Sequence, residues 1–406
     1  MKLLWTAALW LLVSAAAAAQ EPERFLIETI TVSGVKREAA RDIVVAESLL
    51  EAGESYTEDE LRKAVYRVKR LPFVVEADFS LKKGSERGAY ELVITVEETK
   101  PVFFEGNLAG AVIPSDQRQF FDDSVEWDHS ETLGARLFTG SSGLAFATVS
   151  RGGDLQVGYT QYDLFGTGSF ASLGVSTDVD KEEFQGDSYA AALTVGVPLS
   201  VTQSLRANLA WAESKFDGLE GEEFTSEGRR AGLEWRYDTT DDPLLPSRGI
   251  RATAGVERAW SEQTSQFFPF GEVTFEDEID SVTLAGRKHW PLTQRQSIAL
   301  GAGAGYQRFN SDSDSFFRGI ELEATDLSAE IEHSWSLWGF EKSRRIGDLW
   351  LETGVSYRTR DQDTPFAPDF HTEETTFHTG LVFRSVWGLI RASLSYTDFN
   401  QDGLNP

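Results

Sequence analysis

Few residues in this chain combine the types and the spacing that chemistry at a site requires. The five histidines, His129, His289, His333, His371 and His378, are scattered. Zinc needs closely spaced imidazole or thiolate ligands, so these side chains read as solvent-facing or hydrogen-bonded. The acidic runs EGEE (220–223) and EDEID (276–280) lack the ordered oxygen ligands of a calcium loop. No strand-turn-helix elbow presents a nucleophile. The expectation is a non-enzyme with no catalytic residue, no metal site and no cofactor. One stretch stands apart: SFFRGIELEAT (315–325) sets Arg318 among acids, in a chain with 65 Asp and Glu against 38 Lys and Arg. A guanidinium holds two carboxylate oxygens in its planar fork and stays charged when partly dehydrated. The question is which acid it meets and which elements bring the two together.

The elements divide the chain into four parts. Residues 1–19 carry one lysine, an apolar run and an Ala-x-Ala end, the pattern of a secretory signal peptide. Residues 20–102 read as a small α+β unit. FLIETITVSG (25–34) alternates as a strand, and KREAARDIVVAESLL (36–50) places Ala39, Ile43, Ala46 and Leu50 at helical spacing. Thr57, with Glu60 three residues on, forms a capping box that opens a second helix. FVVEADFSLKK (73–83) and AYELVITVEE (89–98) alternate as two strands, giving the order β-α-α-β-β. Residues 103–131 fit neither pattern and are left as a linker, a plug or an extra strand.

From residue 132 to 406 helical periodicity gives way to alternating segments of about ten residues, the length of a tilted strand that crosses a bilayer. SLRANLAWAE sets Leu205, Ala207, Leu209 and Trp211 opposite Arg206 and Asn208, and GIRATAGVER sets Ile250, Ala252, Ala254 and Val256 opposite Arg251, Thr253 and Glu257. Tryptophans gather near strand ends, as in interfacial girdles. Lipid cannot satisfy backbone N–H and C=O groups, so such a sheet must close on itself. The reading is a mainly β protein: an antiparallel transmembrane β-barrel of about 14 strands (12–16). Among the candidates, 267–277 is weak because TFEDEID loads one strand with acids. With no cysteine, stability rests on packing and closure. A formal net charge of −27 excludes a nucleic-acid partner, since phosphate is repelled.

TVSGV, the link from Gly53 to Thr57, LPFVVEADF and LVITVEETKPV resemble a POTRA domain. Followed by a barrel, they resemble the BamA/TamA outer-membrane assembly and two-partner secretion superfamily, as a short member with one POTRA. YTQYDLFGTGS (159–169), YDTTDDPLLPSRGIRAT (237–253) and FFRGI (316–320) resemble local motifs of those barrels. The resemblance implies that Arg318, in a loop motif with Phe317, Gly319 and Ile320, pairs inside the lumen with Glu352 of WLETG, near Glu330 of SAEIE. By alternation both acids lie on the lumen-facing side of their strands. Ile320 replaces the family's aromatic and Glu352 its aspartate. GLIRASLSY (388–396) resembles a penultimate strand, so a final strand is expected to be missing or displaced.

The implied function is outer-membrane protein assembly or polypeptide translocation, with the barrel in the outer membrane and the POTRA in the periplasm. Extended client polypeptides would add to a sheet edge at Phe73, Val75 and Phe79. The implied partners are those clients, outer-membrane lipid and accessory periplasmic or lipoprotein partners. The other reading is a passive outer-membrane channel with the POTRA as a scaffold contact.

Overall fold

The computed structural model describes residues 22–113, 126–139, 142–178, 186–217, 223–267, 271–313, 320–338, 347–363 and 370–402. Residues 1–19, expected as a signal peptide, lie outside them.

The N-terminal unit runs β1 (Arg24–Ser33), α1 (Glu38–Ser48), β2 (Ser55–Thr57), α2 (Glu58–Val68), β3 (Val74–Lys83) and β4 (Ala89–Glu98). Its sheet has the order β2-β1-β4-β3, with β1 and β4 parallel. The three-residue β2 is the one element the periodicity did not announce. Ile27, Ile43, Val44, Leu61, Val68, Leu92 and Ile94 exclude water between the helices and the sheet. The capping box forms as expected: Thr57 Oγ1 accepts from the Glu60 N–H at 3.2 Å, and Glu60 Oε2 accepts from the Thr57 N–H at 2.7 Å.

The barrel is built from β5 (Val102–Ile113), β6 (Glu126–Phe138), β7 (Gly143–Ser150), β8 (Asp154–Leu164), β9 (Ser169–Asp178), β10 (Gly186–Ser200), β11 (Gln203–Asp217), β12 (Glu223–Asp238), β13 (Gly249–Phe267), β14 (Gly271–Thr293), β15 (Gln296–Ser313), β16 (Ile320–Trp338), β17 (Asp348–Asp363), β18 (Phe370–Ser385) and β19 (Gly388–Asp402). These fifteen strands close into one cylinder. Of the linker, plug or extra strand left open for 103–131, the described residues there belong to two strands, β5 and β6. The candidates at 267–277 and 280–291 are a single strand, β14. An up-and-down meander with an odd number of strands returns its last strand in the direction of its first. β19 and β5 accordingly pair in parallel, from Gly388 opposite Phe104 to Tyr396 opposite Val112. The expected missing strand is thus supplied from the other end of the barrel.

Cross-strand register separates the two faces. Leu300, Ile331, Val355, Phe377 and Tyr396 are successive partners across five strands. Leu300 and Phe377 are each 48 % exposed, as lipid-facing side chains are without their lipid. One residue away, the row Arg251, Arg287, Gly301, Glu330 and Ser356 faces the lumen. There Arg287 binds Glu330 at 2.8 Å and Glu332 at 3.0 Å. β13 and β14, of 19 and 23 residues, outrun the roughly ten that a bilayer needs. Their ends farthest from the N-terminal unit carry the acids of TFEDEID, and Arg258 grips Asp280 there at 2.5 and 2.6 Å. The acids that weakened this candidate stand beyond the apolar band, where charge is hydrated.

Candidate functional site at the junction of the two units

The N-terminal unit is packed onto one mouth of the barrel. Phe73 lies edge-on to Phe138 at 5.2 Å between ring centres, and the Arg37 guanidinium stacks 4.2 Å over the same Phe138 ring. The apolar core runs without a break from Ile43 and Leu61 through Phe73 to Phe103, Phe138 and Leu144 of the barrel. The backbone joins as well: the Lys100 N–H donates to Val386 O at 2.8 Å, and the Phe138 N–H to Pro101 O at 3.0 Å. At Gly168, with φ +67°, an added Cβ would stand 2.9 Å from the Ala46 carbonyl oxygen of α1. Only glycine lets the β8–β9 turn approach the helix so closely.

The link between β12 and β13, residues 239–248, folds across this mouth. Asp242 Oδ1 accepts from the N–H groups of Leu244 and Leu245, both at 2.9 Å, and Asp241 Oδ1 from Ser247 at 2.9 Å and Arg248 at 3.1 Å. Such aspartate-capped turns fix the loop before it meets anything else. Leu245 is buried, and Pro246 O accepts from Ser297 of β15 at 3.3 Å. Arg384 of β18 reaches Asp242 at 2.6 Å and Asp348 at 3.3 Å. Burial alone would raise the Asp242 carboxyl, but Arg384 and the two backbone donors outweigh it and hold the group below the usual carboxylate range. The brace therefore ties β12–β13 to β17–β18, several strands away around the cylinder.

Beside the brace lies a chamber of about 540 Å³ between the C-terminal ends of α1 and α2 and the lumen. Five of its lining residues are arginines: Arg67, Arg70, Arg206, Arg236 and Arg251. Arg67 binds Glu47 at 3.0 Å, Arg70 donates to Asp238 O at 2.6 Å, Arg251 binds Asp238 at 3.2 Å and Arg236 binds Glu234. Arg206 stacks 5.4 Å from the Phe170 ring. Among the described residues it makes no ion pair, and its buried Nε has no hydrogen-bond partner. Burial pushes the Glu47 carboxyl up to about 7, against the pull of Arg67 and Arg70.

A second cavity, of about 180 Å³, shares the wall of Arg70, Leu71, Pro72 and Pro243 with the first. It is lined by Val74 and Val75 at the start of β3, by Phe103 and Glu105 of β5, and by Gly388 and Leu389 of β19. β3 is an edge of its sheet, bonded to β4 on one side. The start of that edge thus opens on the parallel seam of the barrel. Of the residues expected on the edge, Val75 and Phe79 are half-buried on β3. Phe73 is fully buried against Phe138, so it belongs to the junction and not to an accessible face.

The arginine motif lies largely outside the described residues. Phe317, Arg318 and Gly319 lie outside the described residues, and Ile320 opens β16 opposite Ser311. Glu352 stands opposite Ser334, fourteen residues farther along β16, or about 46 Å at 3.3 Å per residue. Glu330 lies ten residues along the same strand from Ile320. Both acids have other neighbours: Glu330 binds Arg287 at 2.8 Å, and Glu352 lies 3.9 Å from Arg391. Both do lie on the polar, lumen-facing rows. Sequence reasoning missed Arg384, Asp242 and Arg206. Their one local signal was DDPLLPSRG, a cluster of turn formers too rich in apolar residues for a plain surface loop.

No curated protein sequence matches this chain. Solved structures of similar shape include BamA from Haemophilus ducreyi lacking POTRA domains 1–3, at 13 % identity and a TM-score of 0.41 over 95 % of this chain and 85 % of that one. CdiB from Acinetobacter baumannii aligns at 9 % identity and 0.42, over 89 % and 68 %. CdiB from Escherichia coli aligns at 10 % and 0.42, over 93 % and 76 %. Residues 134–326 match the Omp85 superfamily domain. That span runs from β6 to β16 and contains all three barrel stretches singled out above, 159–169, 237–253 and 316–320. On these grounds residues 134–326 carry an Omp85 superfamily domain within a β-barrel of the outer membrane.

Proposed function

We propose that this protein inserts or exports polypeptides at the outer membrane. Its POTRA-like unit, on the periplasmic side, captures an extended client along β3, and the barrel passes the client on at the seam between β5 and β19. The observation that carries this reading is the cavity shared by the free edge strand and the seam: a client paired with β3 would end beside Gly388 and Phe103. Strand addition suits the task, because backbone hydrogen bonds bind many sequences alike. The parallel seam adds to it, since parallel pairing is slightly weaker per residue than the antiparallel pairs around the rest of the wall. The brace across the mouth weighs against the passive channel, which needs an open lumen.

The test is photo-crosslinking from β3, with a reactive analogue at Phe79 or Ser80, combined with depletion of the protein. Unfolded polypeptides should crosslink at β3, and depletion should remove outer-membrane proteins or one secreted client. Depletion that changes only solute permeability, with no crosslinked polypeptide, would overturn the proposal in favour of the channel.

A further inference from the structure

We infer that the arginine chamber binds a carboxylate of the client polypeptide, with Arg206 as its counter-charge. This rests on the reading of the protein as a handler of extended polypeptides.

The starting observation is a cation with no ion-pair partner among the described residues, in a chain of net charge −27. The other four arginines of the chamber are each held by Glu47, Asp238 or Glu234. Arg206 is not, although its buried Nε is cut off from water. A partly desolvated charge left unpaired is unfavourable, and with 65 acids in the sequence a fixed partner would have been easy to place. An unsatisfied guanidinium aimed into a cavity is the signature of a site whose anion comes from outside. The planar fork of arginine fits a carboxylate bidentately.

The setting selects polypeptide as the source. The chamber is lined by the ends of α1 and α2 and by residues around the barrel mouth. Pro72, Phe170 and Pro198 give apolar surface to either side of the charges, as the neighbours of an acidic residue require. The wall shared with the second cavity connects the chamber to the start of β3. A chain paired on that edge can therefore place an Asp or Glu beside Arg206. The barrel's remaining negative charge repels acidic segments elsewhere, so the chamber fixes where they rest.

The experiment uses the full chain in detergent micelles and two fluorescent, C-terminally amidated peptides of one extended sequence, with Glu in one and Gln in the other. Anisotropy should show both bound, the Glu peptide more tightly. Arg206→Gln should weaken the Glu peptide tenfold or more and leave the Gln peptide unchanged, while Arg206→Lys should retain part of the preference. Thr253→Asp, which sets a carboxylate in the chamber wall and keeps every arginine, should abolish the preference too. Heat-modifiable gel mobility reports that each barrel is folded. If both peptides bind equally and neither variant alters binding, capture stands and the chamber assignment is overturned. If neither peptide binds the unaltered protein, the capture reading itself fails. If inorganic phosphate binds by titration calorimetry in an Arg206-dependent way and neither peptide binds, the chamber belongs to phosphate and the polypeptide assignment is overturned.

Discussion

Two side chains at the junction have consequences that single substitutions can measure. Arg384 is nearly buried between Asp242 and Asp348, with side-chain exposures of 10 % for Arg384 and 12 % for Asp242. Removing one partner of such a pair leaves the other charge stranded in a low-dielectric site. Arg384→Met should therefore cost about 3–5 kcal/mol of stability. Arg384→Met combined with Asp242→Asn should recover a large share of that loss, because the buried partner is no longer charged and the remaining one, Asp348, is better exposed to water; denaturant unfolding of the refolded barrel compares the two. A double variant as unstable as the single one would show that the brace is held by the loop backbone alone. Glu47 predicts a pH dependence. Burial raises its pKa from 4.5 to about 7 in the folded protein. A folded pKa above the unfolded one gives a contribution that is fully present below about pH 4.5 and is lost as the pH rises through about 7. The N-terminal unit should thus melt at a lower temperature at pH 8 than at pH 5, and Glu47→Gln should remove most of that difference. An unchanged pH profile in the variant would mean that Arg67, at 3.0 Å, keeps Glu47 ionised throughout.

The elements show which features are written locally in the sequence. The capping box at Thr57, the apolar faces of α1 and α2 and the alternation from β7 onward depend on residues within one turn or one strand of each other, and they were legible. β5 and β6 were not. The β5 sequence VFFEGNLAGAVI sets glycines on one face and alanines on the other, small residues on both, so it lacks the contrast that marks a half-buried strand. β14 was read as two strands because the pattern changes where the wall leaves the apolar band, although the backbone does not. Alternation likewise gives the face of Glu330 and Glu352 but not their height along the barrel, which only the register shows. At the seam one glycine has a role that only the closed sheet reveals. Gly388 has φ +127°, and an added Cβ would lie 1.8 Å from the Phe104 carbonyl oxygen of β5. Gly388→Ala should therefore force β19 away from β5 at the end nearest the N-terminal unit. The expected result is faster amide exchange in residues 102–106 and 388–392, with exchange in β12–β16 unchanged. Equal protection in the variant would show that the seam absorbs the side chain by a backbone shift.

At the scale of the molecule, the odd strand count concentrates the consequences of closure in one place. Every other strand pair of the barrel is antiparallel, whereas β19 lies parallel to β5 and pairs with it only as far as Tyr396. β18 follows β19 to Asp402, so residues 397–402 of β19 have a partner on one side and, among the described residues, none on the other. The seam therefore combines the weaker pairing geometry with a free edge at one end and the β3 cavity at the other. If clients pass there, fixing the seam should stop the function without disturbing the fold. Ala109 and Ser393 stand directly opposite each other on the lumen side of the seam, and the chain has no cysteine to interfere. The pair Ala109→Cys and Ser393→Cys should form a disulfide, since opposed strand positions lie within the span that the bond requires. Oxidised protein should keep its heat-modifiable mobility but lose insertion or export of clients, and reduction should restore it. The same pair built at Ala302 and Ala329, opposed across β15 and β16, should have no effect in either state. Clients that still pass an oxidised seam would have to travel through the lumen, and the brace of residues 239–248 would then become the element that must move.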